Sequence, residues 1–224
     1  MSKRKIFIVI PAYNEAKVIH KVISDIRKEG FKNIVVVDDG SNDDTKKVAS
    51  KAKAKVLSHF INRGKGAAVK TGLEYAKLEK ADIVVTIDGD GQHNPKDIKR
   101  MIKKIDEGYD IVLGSRFLNK KNKMPLFNRL ANHLANIIVF LTYSLWVSDS
   151  QSGFRAYTRK ALEKIDTRLD RYEFDSEVIR EIAKHKIKFC ETPIDVFYTQ
   201  YSISKTQKQS LKNGIKTLIK ILIS

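Results

Sequence analysis

Between Ile6 and Leu113, short β-branched runs alternate with longer stretches whose apolar residues recur at helical spacing, and nothing else in the chain constrains the fold as much. Ile6–Ile10, Ile34–Val37, Lys55–Ser58, Ile83–Ile87 and Ile111–Leu113 read as strands. Glu15–Lys28, with Val18, Ile19, Val22, Ile23 and Ile26 on one face, reads as a helix, as do Asp43–Lys53, Gly66–Lys77 and Pro95–Glu107. Strands separated by helical crossovers pair in parallel, so the expected class is α/β, a mainly parallel sheet with helices on both faces. Ligands of such sheets bind beyond the carboxyl ends of the strands. The residues that follow each strand are therefore the ones to read for chemistry.

The most informative of these ends is Asp88-Gly89-Asp90-Gly91-Gln92, which follows the apolar run Ile83–Ile87 directly. Two carboxylates and an amide oxygen are hard ligands suited to Mg²⁺ or Mn²⁺, and Mg²⁺ in particular takes few protein ligands and fills its shell with phosphate oxygens and water. The plain alternative is an Asp-Gly turn that ends a strand. The other strand ends favour the first reading. Pro11-Ala12-Tyr13-Asn14-Glu15, Asp38-Asp39-Gly40-Ser41 and Gly114-Ser115-Arg116-Phe117 fall on the same rim, where Tyr13 suits a base and Asp39 a base or ribose. Asn62-Arg63-Gly64-Lys65-Gly66 is a glycine-rich basic loop opening a helix, so its N–H groups and Lys65 suit a phosphate. It lacks the spacing of a P-loop.

The charge balance adds a constraint on partners. With 43 Lys and Arg against 26 Asp and Glu, a net charge of +17 favours an anionic partner: nucleic acid, an acidic membrane surface or a phosphorylated substrate. A nucleic-acid binder explains the charge but not the rim of acidic motifs. Cys190 is the single cysteine, so no internal disulfide forms, and the reducing side of a membrane is the expected compartment. It reads as a packed strand residue. The apolar run after Met1–Lys5 is too short for a signal segment.

No window reaches 18 uninterrupted apolar residues, and no transmembrane helix is expected in the sequence. Leu134–Val147 fits a buried or interfacial helix. Lys208–Ile223 places Lys208, Lys212, Lys216 and Lys220 opposite Leu211, Ile215, Leu218 and Leu222, a basic amphipathic helix. Between them, Asp149–Arg155 is rich in small polar residues and reads as a loop closing over a ligand or as a plain turn, with Arg155 a structural ion-pair partner. Asp175 lies near a helix start, where capping explains it. The five histidines show no metal spacing and read as surface or packing residues, although His93 adjoins Gln92.

Taken together, PAYNE at 11–15, DDGS at 38–41, NRGKG at 62–66, DGDGQH at 88–93, GSRF at 114–117 and SGFRAY at 152–157 resemble family 2 glycosyltransferases. Within that family the likeness is to the polyprenyl-phosphate (dolichol-phosphate) mannosyl- and glucosyltransferases, from about residue 5 to about residue 205. The resemblance implies a GT-A fold, a nucleotide-sugar donor such as GDP-mannose or UDP-glucose, Mg²⁺ or Mn²⁺, inversion at the anomeric carbon and a dolichyl or polyprenyl phosphate acceptor. It puts Pro11, Tyr13, Glu15, Val37 and Asp39 on the nucleoside, and Asp88, Asp90 and Gln92 on the metal. Lys65, Asp88, Gly89 and Asp90 then line the nucleotide sugar. Arg116, Arg129 and Lys205 fall where the family holds the acceptor phosphate, and Asp88, Asp90 and Arg116 carry the catalysis. One carboxylate of Glu173, Asp175 and Glu177 touches the donor sugar. Ser202 stands where the family's late motif has glycine, and Thr199-Gln200-Tyr201 holds no arginine where one is expected.

The expected layout is a catalytic domain over 1–207, including an apolar interface helix at about 125–147, followed by an amphipathic membrane-surface helix over 208–224. The expected activity is transfer of mannose or glucose at the cytoplasmic face of a membrane, with no nucleic-acid partner. A transferase using a hydroxyl acceptor in polysaccharide or lipid-linked oligosaccharide synthesis is the enzymatic alternative; it needs a carboxylate base that no single residue announces.

Overall fold

The computed structural model describes residues 4–119, 121, 122, 124, 126–171 and 173–198, with the backbone alone at 126–128. Lys205 and the proposed tail helix lie outside the described residues. Seven strands form one sheet in the order β3-β2-β1-β4-β6-β5-β7. The first four, β1 (Ile6–Ala12), β2 (Asn33–Asp38), β3 (Lys55–Ser58) and β4 (Ile83–Thr86), follow the expected segments closely. All pair in parallel, with Pro11 opposite Val37 and Val9 opposite Thr86.

In the other half of the sheet, β5 (Ile111–Ser115) follows the expected Ile111–Leu113, but the two strands beside it carry no periodicity that announces them. Strand β5 is parallel to β7 (Phe189–Pro193), but β6 (Arg155–Thr158) inserts between β4 and β5 and runs against both. Six strands therefore deliver their carboxyl ends to one rim, and β6 starts from it. Cys190 packs in β7, half-buried, as a strand residue.

Alternation along the central strands builds two cores. Phe7, Val9, Val35, Val37 and Val84 face one side, where α3 (Lys65–Leu78), α5 (Leu126–Tyr143), α6 (Arg159–Lys164) and α7 (Glu173–Lys184) contribute Ala68, Leu73, Val139, Leu162 and Val178. Ile8, Ile10, Val36 and Val85 face the other, against Ile23 and Ile26 of α1 (Ile19–Lys28), Ala49 of α2 (Thr45–Lys51) and Met101 of α4 (Asp97–Asp106). Each fully buried Ile or Val in these layers contributes about 1.5–3 kcal/mol, so both sheet faces are fixed and the rim becomes a rigid frame.

The largest differences from the expected helix ends fall on α1 and α5. The first begins at Ile19, because Asn14 adopts φ +55° and the amides of Val18 and Ile19 close a turn on the Glu15 carbonyl. The apolar helix stops at Tyr143, where Ser144 enters the left-handed region at φ +53°; Leu145–Val147 continue as irregular chain.

Candidate active site

The rim gathers the polar strand ends around β4. Asp88 and Asp90 are half-buried, and the loop that carries them passes so close to β1 that a β-carbon at Gly89 would lie 2.9 Å from the Pro11 carbonyl oxygen. Glycine is required there by space. The Gln92 amide donates to Asp90 Oδ1 at 3.0 Å, which fixes the second carboxylate beside the first.

Asp88 faces two cationic or potentially cationic groups. Lys65 Nζ lies 2.9 Å from its Oδ1, and His93 Nε2 lies 3.3 Å from its Oδ2. Burial pushes the Asp88 pKa upward, but Lys65 and His93 together outweigh it and hold the carboxyl well below the usual carboxylate range. Asp90 moves the other way. Burial and then the Asp88 charge push its pKa up.

A divalent cation would cancel the repulsion between these two groups, and the donors are hard oxygens. Among the described residues, no group of three or more His, Cys, Asp and Glu is arranged to hold a metal alone. Two carboxylates with the half-buried Gln92 thus fit Mg²⁺ or Mn²⁺ of the kind that completes its shell with phosphate oxygens and water.

The nucleoside candidates lie at the ends of β1 and β2. Pro11 and Glu15 are buried and Tyr13 is half-buried, while the Val37 side chain is wholly inside the core and presents no surface to the rim. Asp39 is buried and already engaged. Its Oδ1 accepts from His59 Nδ1 at 2.7 Å and from the Arg63 amide at 3.0 Å, and its Oδ2 accepts from the Gly64 amide at 2.7 Å. His59 Nε2 in turn meets Thr71 Oγ1 at 2.9 Å. Asp39 therefore ties the basic loop to the end of β2, and His59 is part of that tie, a role its sequence position did not suggest.

On the far side of β4, Arg116 is clamped by Asp149. The backbone amide and Nε of Arg116 reach Asp149 Oδ2 at 3.0 and 2.7 Å, and one terminal nitrogen reaches Oδ1 at 2.7 Å. Burial would lower the Arg116 pKa, but the Asp149 carboxylate outweighs it and keeps the guanidinium charged. Arg129 is exposed on α5. Sequence reading missed Asp149 as the partner of Arg116, since the two are 33 residues apart and no local pattern links them.

Asp175 and Arg155 form the floor. Arg155 is buried and donates to the carbonyls of Ser150, Ser152 and Asp175 at 2.9–3.0 Å, with the Asp175 carboxylate at 3.5 Å. It is the structural ion-pair partner expected of it. Asp175 is not merely a helix-start residue: its Oδ2 lies 3.4 Å from Lys65 Nζ, within the same charge network as Asp88. Glu177 caps a loop instead, accepting from the Arg168 and Leu169 amides.

A mostly parallel sheet that presents a carboxylate pair and a basic, glycine-rich loop on one rim is a GT-A fold, the architecture of nucleotide-sugar transferases. Over 98% of this chain and 80% of the other, it matches glucosyl-3-phosphoglycerate synthase from Mycobacterium tuberculosis, solved with Mn²⁺, UDP and glucosyl-3-phosphoglycerate, at a TM-score of 0.74 and 20% identity. Residues 7–166 match the model of glycosyl transferase family 2, and the chain belongs to that family. Among its relatives is a UDP-N-acetylglucosamine–dolichyl-phosphate N-acetylglucosaminyltransferase from Methanococcus voltae, 36% identical across 100% of this chain and 97% of that protein. A polyprenol monophosphomannose synthase from Mycolicibacterium smegmatis is 25% identical across 95% and 84% of the two chains.

Proposed function

We propose that this glycosyltransferase moves a hexose or N-acetylhexosamine from a nucleotide diphosphate sugar to a dolichyl or polyprenyl phosphate at a membrane surface. The observation that carries the reading is the Asp88–Asp90 pair on the β4 end, with Lys65 on one side and the Asp149-clamped Arg116 on the other. Relatives named for N-acetylglucosamine and for mannose support the lipid phosphate and leave the sugar wider than mannose or glucose.

In this reading Asp88, Asp90 and Gln92 hold the cation. When bound, it supplies charge neutralisation for the departing nucleoside diphosphate, a contribution of several kcal/mol. Lys65 and the amides of its loop hold the diphosphate. Pro11, Tyr13, Glu15 and Asp39 flank the nucleoside, with Val37 supporting them from the core. Arg116 and Arg129 orient the acceptor phosphate, and Arg116 has one terminal nitrogen outside its Asp149 clamp for that purpose. A lipid phosphate is ionised at neutral pH, so one of its oxygens attacks the anomeric carbon with no general base and the nucleoside diphosphate leaves. Asp149 is occupied by Arg116, which weighs against it as a base for a hydroxyl acceptor.

The test is transfer of radiolabel from GDP-mannose, UDP-glucose and UDP-N-acetylglucosamine to dolichyl or undecaprenyl phosphate with Mn²⁺ or Mg²⁺. Organic-extractable, acid-labile product from at least one donor is expected. Transfer to a sugar hydroxyl but never to lipid phosphate would overturn the acceptor.

The surface of α5 supports a site that works against a bilayer. Leu130, Leu134, Ile137 and Leu141 are exposed at successive turns of one face, joined by Phe140 and Trp146. That helix is coupled to the site: the Asn136 side chain donates to the Ser148 carbonyl and accepts from the Ser150 amide, on either side of Asp149. No described helix is long and apolar enough to cross a membrane. Docking on the cytoplasmic face is the arrangement that brings Arg116 to a lipid headgroup, and a chain with one cysteine suits that reducing side. The doubly substituted Leu134→Glu, Leu141→Glu chain is expected to lose most co-flotation with anionic liposomes while keeping nucleotide binding. Undiminished flotation of that variant would remove α5 from the contact.

A further inference from the structure

We propose that Lys65 is the resident counter-ion of the metal site, holding Asp88 in the nucleotide-free chain and passing to the diphosphate when donor binds. The inference rests on the metal and diphosphate reading above and adds an order of events: the cation binds tightly only together with nucleotide.

The backbone at Lys65 is anchored at the start of α3, and its side chain ends in an ion pair at the rim. The Gly64 amide is tied to Asp39, the Ala67 amide donates to the Asp170 carbonyl at 2.9 Å, and Lys65 is the first residue of α3. From that anchored point a four-carbon stem carries the ammonium to Asp88 Oδ1 at 2.9 Å and Asp175 Oδ2 at 3.4 Å. Its side chain retains 20% exposure, so it lies at the edge of the rim, within reach of a ligand.

The space it occupies is shaped for it. A β-carbon at Gly153 would collide with Lys65 Nζ and approach Asp88 Oδ1 to 3.1 Å, so a larger residue there would displace the lysine end of the ion pair. The Gly153 carbonyl is pinned by the Thr86 hydroxyl at 2.7 Å, which keeps that wall in place.

An ammonium on Asp88 and a divalent cation on the same carboxylate repel each other, so either the cation binds weakly or the ammonium moves. Asp175 cannot draw Lys65 away alone, because Arg155 already shares it. A diphosphate can, since it offers several anionic oxygens and also ligates the metal. The lysine thus disfavours the bare cation and favours the cation with its nucleotide.

Mn²⁺ binding to the full chain, read from the free-ion electron paramagnetic resonance signal, tests this without any turnover. Wild type should bind Mn²⁺ weakly alone and much more tightly with UDP or GDP. Lys65→Met should bind Mn²⁺ alone about tenfold tighter, yet bind the nucleotide at saturating Mn²⁺ about tenfold more weakly by calorimetry. Lys65→Gln repeats the measurement should the methionine variant unfold, and Lys65→Arg should restore the wild-type pattern. If neutral variants that melt like wild type bind Mn²⁺ alone no tighter, the counter-ion role is wrong and the metal site stands. If wild type binds no Mn²⁺ even with UDP or GDP, the metal reading itself fails and this inference with it.

Discussion

Replacing Asp90 with alanine is expected to lower sugar transfer by about a thousandfold or more, the scale of losing several kcal/mol of charge stabilisation on a leaving group. The fold should survive the change. Within the described structure the Asp90 side chain accepts one hydrogen bond, from the Gln92 amide, and sits where burial and the Asp88 charge both disfavour its ionised form. Removing it relieves a like-charge contact, so the melting temperature should stay the same or rise slightly. Steady-state turnover with saturating donor and acceptor, paired with thermal melting, separates loss of chemistry from loss of structure. Chelation by excess EDTA should imitate the substitution in the wild type. Full activity under either condition would exclude a cation on this pair.

The second large effect is on stability. Arg155→Leu is expected to cost about 3–5 kcal/mol in equilibrium unfolding by urea, the range for breaking a buried, hydrogen-bonded charge pair. Arg155 is 1% exposed, and its guanidinium satisfies three carbonyls from two segments as well as facing the Asp175 carboxylate. Leucine fills part of the volume but removes the donor to the Ser150 and Ser152 carbonyls and the cation facing Asp175. Lysine should rescue little, because a point-like ammonium cannot span the same fork of acceptors. The loss should extend to nucleotide binding, since the Ser150–Gly153 loop and Asp175 both border Lys65. A cost below about 1 kcal/mol would mean that the loop holds its shape without the arginine.

The membrane face and the catalytic rim were unequally legible. Leu134–Val147 announced an apolar helix by composition, but composition does not say which side meets the protein. Burial of Ala135, Asn136 and Val139 against the domain does, and it leaves Leu130, Leu134, Ile137 and Leu141 outside. The end of that helix was misjudged because Leu145-Trp146-Val147 continue the apolar run while the backbone has already turned at Ser144.

Local periodicity and order along the chain carry the first four strands, the helices between them and the rim they build. β-Branched runs alternating with amphipathic segments specify a parallel sheet, because short crossovers and buried strands leave few other arrangements. The polar clusters at their carboxyl ends then fall on one rim by topology alone. Which charges meet, by contrast, follows from packing. The antiparallel entry of Arg155–Thr158 between β4 and β5 carries no period of its own, yet it brings Gly153 and Arg155 to the end of β4. The pairs Arg116 with Asp149, Lys65 with Asp88 and Asp175, and His59 with Asp39 each join separate elements. A buried charge takes whichever partner the packed backbone sets within hydrogen-bonding distance, and that distance depends on strand order and loop path, which no spacing within the sequence encodes.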